Sequence, residues 1–267
     1  LSLVGSEMCI RDRLMTSCGE YQSLLKSNDY NLVYKKAIEY YNKGDYQRAM
    51  NLLDGVRSVF VGQAKAQNIA YYRAFCSYNM KDYQIASDLF KQFIQTYPES
   101  SFAEECLYMM GFCDYKASPK PRLDQQVTEK AIREFQLYLS RYPYSMRKDK
   151  VNTYMDEMRD KLSYKAYLSA KNYYLREHYK AAVISLQNCL KDYPGSKYRE
   201  EIMYMLFVSK YQMAVNSVED KKVERYNNAR EEYYYFADEY PNSRYAADVK
   251  KMYEDIEAYL ENYKFED

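Results

Sequence analysis

The 267-residue chain has no tryptophan, one histidine, seven glycines and six prolines. With His178 as the only imidazole and no CxxC pair or Cys/His cluster, a zinc site has no ligands to draw on. No Ser/His/Asp set, glycine-rich phosphate loop or framed pair of carboxylates occurs, so the sequence is read as that of a non-enzyme without cofactor or metal. Charge of one sign is missing too. The 39 basic residues nearly cancel the 38 acidic ones, which leaves nothing to recommend nucleic acid or an anionic surface as partner. No apolar run approaches the ~18 residues that would cross a bilayer.

What is present in excess is tyrosine, 35 in all. These rings are large apolar bodies with polar tips, and they explain a negative mean hydropathy beside 47% nominally apolar residues. Four of them begin a recurring Tyr-Pro-x-Ser: Tyr97-Pro98-Glu99-Ser100, Tyr142-Pro143-Tyr144-Ser145, Tyr193-Pro194-Gly195-Ser196 and Tyr240-Pro241-Asn242-Ser243. An alanine stands twelve residues before each proline, at Ala86, Ala131, Ala182 and Ala229. The prolines are 45, 51 and 47 residues apart, so one unit has been copied with insertions.

Each copy predicts a helix that ends at its proline, which lacks an N–H and crowds the preceding turn. In the first of these copies Ala86, Leu89, Phe90 and Phe93 fall on one helical face. The serine after the proline is available to cap the next helix, and Ser101 with Glu104 is expected to form a capping box. A preceding helix is marked by a small residue: Ala37, Ala74, Gly111 or Ala170. The intervening turn reads Gly44-Asp45-Tyr46, Lys81-Asp82-Tyr83 or Glu177-His178-Tyr179. Small residue, turn tyrosine, alanine and terminal proline together resemble the tetratricopeptide repeat. The expected fold is therefore all-α, a solenoid of about five helical hairpins plus a C-terminal capping helix over 245–263. Inserts depart from the pattern near 117–125 and 216–221, Val61-Gly62 replaces the proline of the first unit, and 145–175 reads as one long helix. Cys76, Cys106, Cys113 and Cys189 are expected to be buried at helix contacts.

The N-terminus reads differently. Residues 1–13, LSLVGSEMCIRDR, place charges where a secretory signal needs apolar residues, and are set aside as a non-native leader. Leu14-Met15-Thr16-Ser17-Cys18-Gly19 resembles the end of a bacterial lipoprotein signal. On that resemblance Cys18 is the lipidated N-terminus, and residues 14–30 are signal remnant and tether. The alternative is an ordinary cysteine near a frayed end.

Tyrosine also occupies both flanks of each first-helix small residue: Tyr34, Tyr71, Tyr108 and Tyr167 three before it, Tyr41, Tyr78, Tyr115 and Tyr174 four after it. Offsets seven apart share one helical stripe. The stripe either borders the concave groove, where Tyr34, Tyr41, Tyr71, Tyr78, Tyr108 and Tyr115 are candidates to grip an extended peptide, or packs against the next repeat.

Cys18-Gly19-Glu20-Tyr21 running into Leu25-Lys26-Ser27, the Gly44-Asp45-Tyr46 turn, the insert with Leu123-Asp124-Gln125 and the four Tyr-Pro-x-Ser closures resemble the BamD family of outer-membrane assembly lipoproteins, in a form typical of Bacteroidetes. That resemblance implies an adaptor on the periplasmic face of the outer membrane, held there by its lipid only. Its partners would be the barrel-shaped core subunit, other assembly lipoproteins and unfolded outer-membrane protein precursors, recognised through their C-terminal strand. It further implies that repeats 1–3 (31–146) recognise precursor, with Tyr34, Tyr41, Tyr71 and Tyr78 foremost, and that repeats 4–5 with the cap (147–267) are scaffold. The alternative is a periplasmic repeat lipoprotein that organises cell-envelope or division proteins without recognising precursors.

Overall fold

The computed structural model describes residues 19–263, so Cys18 and the leader lie outside the described residues. All regular structure among them is helical. A short helix, α1 (residues 19–25), precedes α2 (Tyr30–Asn42), α3 (Tyr46–Val56), α4 (Ala64–Asn79), α5 (Tyr83–Thr96), α6 (Ala103–Ala117) and α7 (Gln126–Arg141). Then follow α8 (Lys148–Leu175), α9 (Tyr179–Asp192), α10 (Arg199–Val215), α11 (Glu219–Glu239) and α12 (Ala246–Tyr263). Paired in order from α2, the helices make five hairpins, and α12 is the closing helix. This is the tetratricopeptide-repeat architecture. The chain divides into two compact units between Met155 and Asp156, inside α8.

In the first unit, hairpins form where small side chains let backbones approach. Ala37 meets Ala49 in one core cluster with Leu52, Leu53 and Ile69, all essentially inaccessible to solvent. Gly111 is the extreme case, since a Cβ there would lie 2.9 Å from Cδ1 of the buried Phe135. The turns between paired helices need a left-handed residue, supplied by Gly44 (φ 81°) and, against its steric preference, by Lys81 (φ 67°). The turn tyrosines then close the hairpin ends, Tyr46 against Tyr41 at 5.5 Å and Tyr83 against Tyr78 at 5.9 Å. The first helices of successive repeats touch, α2 against α4.

In the second unit the same logic repeats. Ala170 and Ala182 pack with Leu186, Cys189 and Ile202, and Ala229 packs with Phe207, Phe236 and Ile256. Glu177 (φ 59°) takes the left-handed position before α9. Tyr167 stacks on Tyr198 at 4.4 Å, and Tyr233 on Tyr253 of α12 at 4.0 Å. The expected cap over 245–263 is thus α12, and the long helix expected from residue 145 is α8, 28 residues from Lys148.

Every Tyr-Pro-x-Ser builds one turn. The tyrosine amide closes the preceding helix on the carbonyl four back (Phe93, Tyr138, Cys189 or Phe236), and the serine amide bonds the tyrosine carbonyl. The serine Oγ then accepts the amide two residues on, from Phe102, Arg147, Tyr198 or Tyr245, at 3.0–3.3 Å. The capping box expected at Ser101 does not form. Residue Ser100 takes the local amide, α6 starts at Ala103, and Glu104 instead accepts from Tyr138 Oη at 3.0 Å and Ser145 Oγ at 2.7 Å.

The two inserts behave differently. Residues 118–125 form an ordered loop pinned by the buried Gln125, whose Nε2 donates to Lys120 O (2.8 Å) and Leu123 O (3.1 Å). The second half of 216–221 is absorbed into a longer α11, which begins at Glu219 with two acids in its first turn, where the helix dipole favours them. Cys76, Cys106, Cys113 and Cys189 are free and buried as expected, and burial pushes Cys76 and Cys106 up to about 12 and Cys189 to about 11.

Candidate peptide-binding groove

The first unit carries a cavity of about 500 Å³ between α2, α4 and the entry to α6. Its walls are Tyr34, Ile38 and the polar stripe Lys35, Glu39 and Asn42 from α2, with Asn68, Tyr71, Tyr72 and Phe102 opposite. On α2 two adjacent helical stripes face it, one aromatic and aliphatic, one charged and amidic. Such a lining, apolar with a few convergent polar groups, is what a side chain of an extended peptide needs.

The six candidate tyrosines separate on inspection of their neighbours. Tyr34 and Tyr71 line the cavity. The Tyr34 ring leans on Phe60 at 6.1 Å, with Lys65 Nζ 5.7 Å from its centroid. Tyr71 sits between Phe75 (4.5 Å) and Phe102 (4.6 Å) and donates its hydroxyl to Glu105 Oε2 at 2.8 Å. Burial first, and then that carboxylate, raise its phenol well above the ordinary value, so it remains a donor.

Tyr41, Tyr78, Tyr108 and Tyr115 lie in the seams. Tyr41 is wedged between Tyr46 and Tyr72, the latter at 4.9 Å, and burial pushes it up to about 12. Tyr78 packs on Tyr83 and on Phe112 of the next repeat at 6.2 Å, and burial raises it as well. Tyr108 is buried, stacked on Phe112 at 5.7 Å and covered by the Arg147 guanidinium at 4.9 Å. Tyr115 stacks on Tyr154 at 4.5 Å. One helical stripe therefore serves two purposes.

Sequence reading missed Tyr72, Phe102, Asn42 and Asn68 as groove residues. The available signal was the polar stripe Lys35, Glu39, Asn42, one position along from the tyrosine stripe. Phe102 had no signal, because it enters from the turn after the next proline. In the second unit a larger cavity, about 660 Å³, opens beside the α8–α9 turn, with exposed His178 and Lys180 and half-buried Met213 and Arg225 on its walls. Among the described residues no cluster of three or more His, Cys, Asp or Glu could hold a metal ion.

The fold is that of a tetratricopeptide-repeat protein, an architecture of protein–protein interaction. The chain belongs to the YfiO family of outer membrane lipoproteins, whose model matches residues 26–201 and again 165–266. No curated protein matches it significantly. Among solved structures it is similar to a tetratricopeptide-repeat protein from Bacteroides fragilis, at 13% identity over 87% of this chain and 99% of that one, with a TM-score of 0.42. It is also similar to the TPR2AB domain of yeast Sti1 in its pHSP90 complex, at 13% identity over 85% and 98% of the two chains, with a TM-score of 0.38. No described helix is long and apolar enough to cross a membrane.

Proposed function

We propose that this protein is a lipid-anchored adaptor of the machinery that folds β-barrels into the outer membrane, held on the periplasmic face through Cys18. Its α2–α4 groove takes an extended segment of an incoming barrel precursor, and the hairpins of the second unit dock the barrel-shaped core subunit. The observation that carries this reading is the aromatic cavity of about 500 Å³ on the repeat pair nearest the anchor, in a chain of the outer membrane lipoprotein family. Tyr34 and Tyr71 supply flat apolar walls, and the polar stripe of α2 is placed to bond a peptide backbone. Tyr41, Tyr78, Tyr108 and Tyr115 hold the shape of that wall rather than touch the guest.

The test is fluorescence anisotropy with a labelled peptide of the C-terminal strand of an outer-membrane protein ending in an aromatic residue. Tyr34→Ala and Ile38→Arg are expected to weaken binding by the folded protein at least tenfold, well beyond what their loss of contact with the first-unit core takes from the melting temperature. Tyr78→Ala should lower the melting temperature and leave the affinity of the folded protein intact. Wild-type affinity in both groove variants would refute the assignment and favour an organiser of folded envelope proteins.

A further inference from the structure

The four Tyr-Pro-x-Ser turns share one hydrogen-bonded frame, and the side chains at two positions take no part in that frame. They are the x residue and the residue after the serine. Three copies fill them with polar or small side chains: Glu99 and Ser101, Gly195 and Lys197, Asn242 and Arg244. The second copy, between α7 and α8, carries Tyr144 and Met146, and both are wholly in solvent, at 98% and 102% of full exposure. Nothing in the turn requires them. Pro143 ends α7, and Ser145 Oγ holds the Arg147 amide at 3.2 Å and the Glu104 carboxylate at 2.7 Å. Folding cannot account for two large apolar side chains here, because they bury nothing.

The exposed charges that flank them in sequence are mainly basic. Arg141, Lys148 and Lys150 are exposed beside them, and none is paired with a carboxylate among the described residues, while Asp149 is the single acid in that stretch. Arg147 is already engaged by Glu105 at 3.5 Å and by the Tyr108 ring. We propose that this tip is a plug for a second protein: Tyr144 and Met146 enter an apolar socket on a folded partner, and carboxylates on the socket rim meet Arg141, Lys148 and Lys150. Tyrosine and methionine are the side chains that interfaces favour, one rigid and amphipathic, the other adaptable. Two side chains cannot sustain a stable interface alone, so the plug is a central anchor within a wider contact. A second copy of this chain is a poor occupant, because a two-fold contact would bring like charges face to face. A bilayer is also poorly served, since surface binding draws on the whole apolar face of an amphipathic helix.

The test is a photoreactive benzoylphenylalanine at position 144 in the full-length anchored protein, irradiated in native outer membranes. The adducts are then mapped to the peptide. We expect one discrete protein adduct whose cross-linked peptide carries carboxylates within a few residues of the attachment point. With the probe kept at 144, K148E/K150E should cut the yield at least tenfold, and M146R should do the same. Y144N/M146R, which imitates the fourth copy, should melt with the wild type, showing that the turn is intact. Adducts to lipid only, adducts between two copies, a cross-linked peptide lacking acids, or a yield indifferent to M146R would each overturn the proposal.

Discussion

Replacing Glu134 with glutamine should flatten the pH dependence of stability between about pH 4.5 and 8. Glu134 lies on the buried face of α7 at 8% exposure, beside Asp114 of α6 at 2%. One ammonium serves both: Lys130 Nζ is 2.9 Å from Asp114 Oδ2, 3.7 Å from Glu134 Oε1 and 3.8 Å from Asp88 Oδ1. Ser87 Oγ adds a hydrogen bond to Asp114 at 2.9 Å, whereas Glu134 Oε2 has no partner among the described residues. Loss of solvation and the neighbouring carboxylate therefore push Glu134 from its ordinary 4.5 up to about 8. Across that window the folded state holds a proton that the unfolded chain has released. The stabilisation from this group is complete below 4.5 and is lost as pH rises towards 8. For one proton the slope is at most about 1.4 kcal/mol per pH unit. Glutamine has the same shape and no charge to desolvate, so that component of the slope disappears. Urea denaturation followed by circular dichroism at pH 5, 6, 7 and 8 measures it. The wild type should lose stability over the series relative to E134Q, with the widest gap at pH 8. Parallel curves for the two proteins would refute the reasoning, because nothing else about the substitution titrates there.

Two further substitutions test the backbone of the fold. Gly111→Ala puts a methyl group 2.9 Å from the Phe135 ring, which is fully enclosed, so α6 and α7 must part. The expected cost is about 1–3 kcal/mol despite the better helix propensity of alanine, and pairing it with Phe135→Leu should recover part of the loss in melting temperature. Lys81→Gly relieves a side chain held at φ 67° and should raise stability by about 1 kcal/mol, a gain absent at Lys43, whose φ is −82°.

Most of the architecture was legible because its determinants are local and repeated. A proline ends each of four helices where the tyrosine before it is driven out of helical geometry, near φ −130°, ψ 63°. The alanines and Gly111 mark close backbone approaches that no larger residue allows. What escaped was either finer than the repeat pattern or non-local. The choice between Ser100 and Ser101 depended on a turn whose hydrogen bonds span three residues. The segment 216–221 reads as an insert, yet Glu219 and Asp220 suit a helix start, so its second half extends α11. The tyrosine stripe could not be divided in advance either. Whether a phenol faces a groove or a seam depends on what the following repeat brings against it, Phe102 for Tyr71 but Phe112 for Tyr78.

The enclosed thiols carry a practical consequence. With Cys76, Cys106 and Cys189 held near 11–12 by burial, and Cys113 raised by the same cause, none presents a thiolate at neutral pH. Such sulfurs resist alkylation and are spared from scrambling in an oxidising compartment. A cysteine introduced on an outward helix face would then be the lone reactive thiol of the repeat array, so spin labels or dyes would find a single chosen address there without removal of the four enclosed cysteines, once Cys9 and Cys18 of the N-terminal segment are replaced.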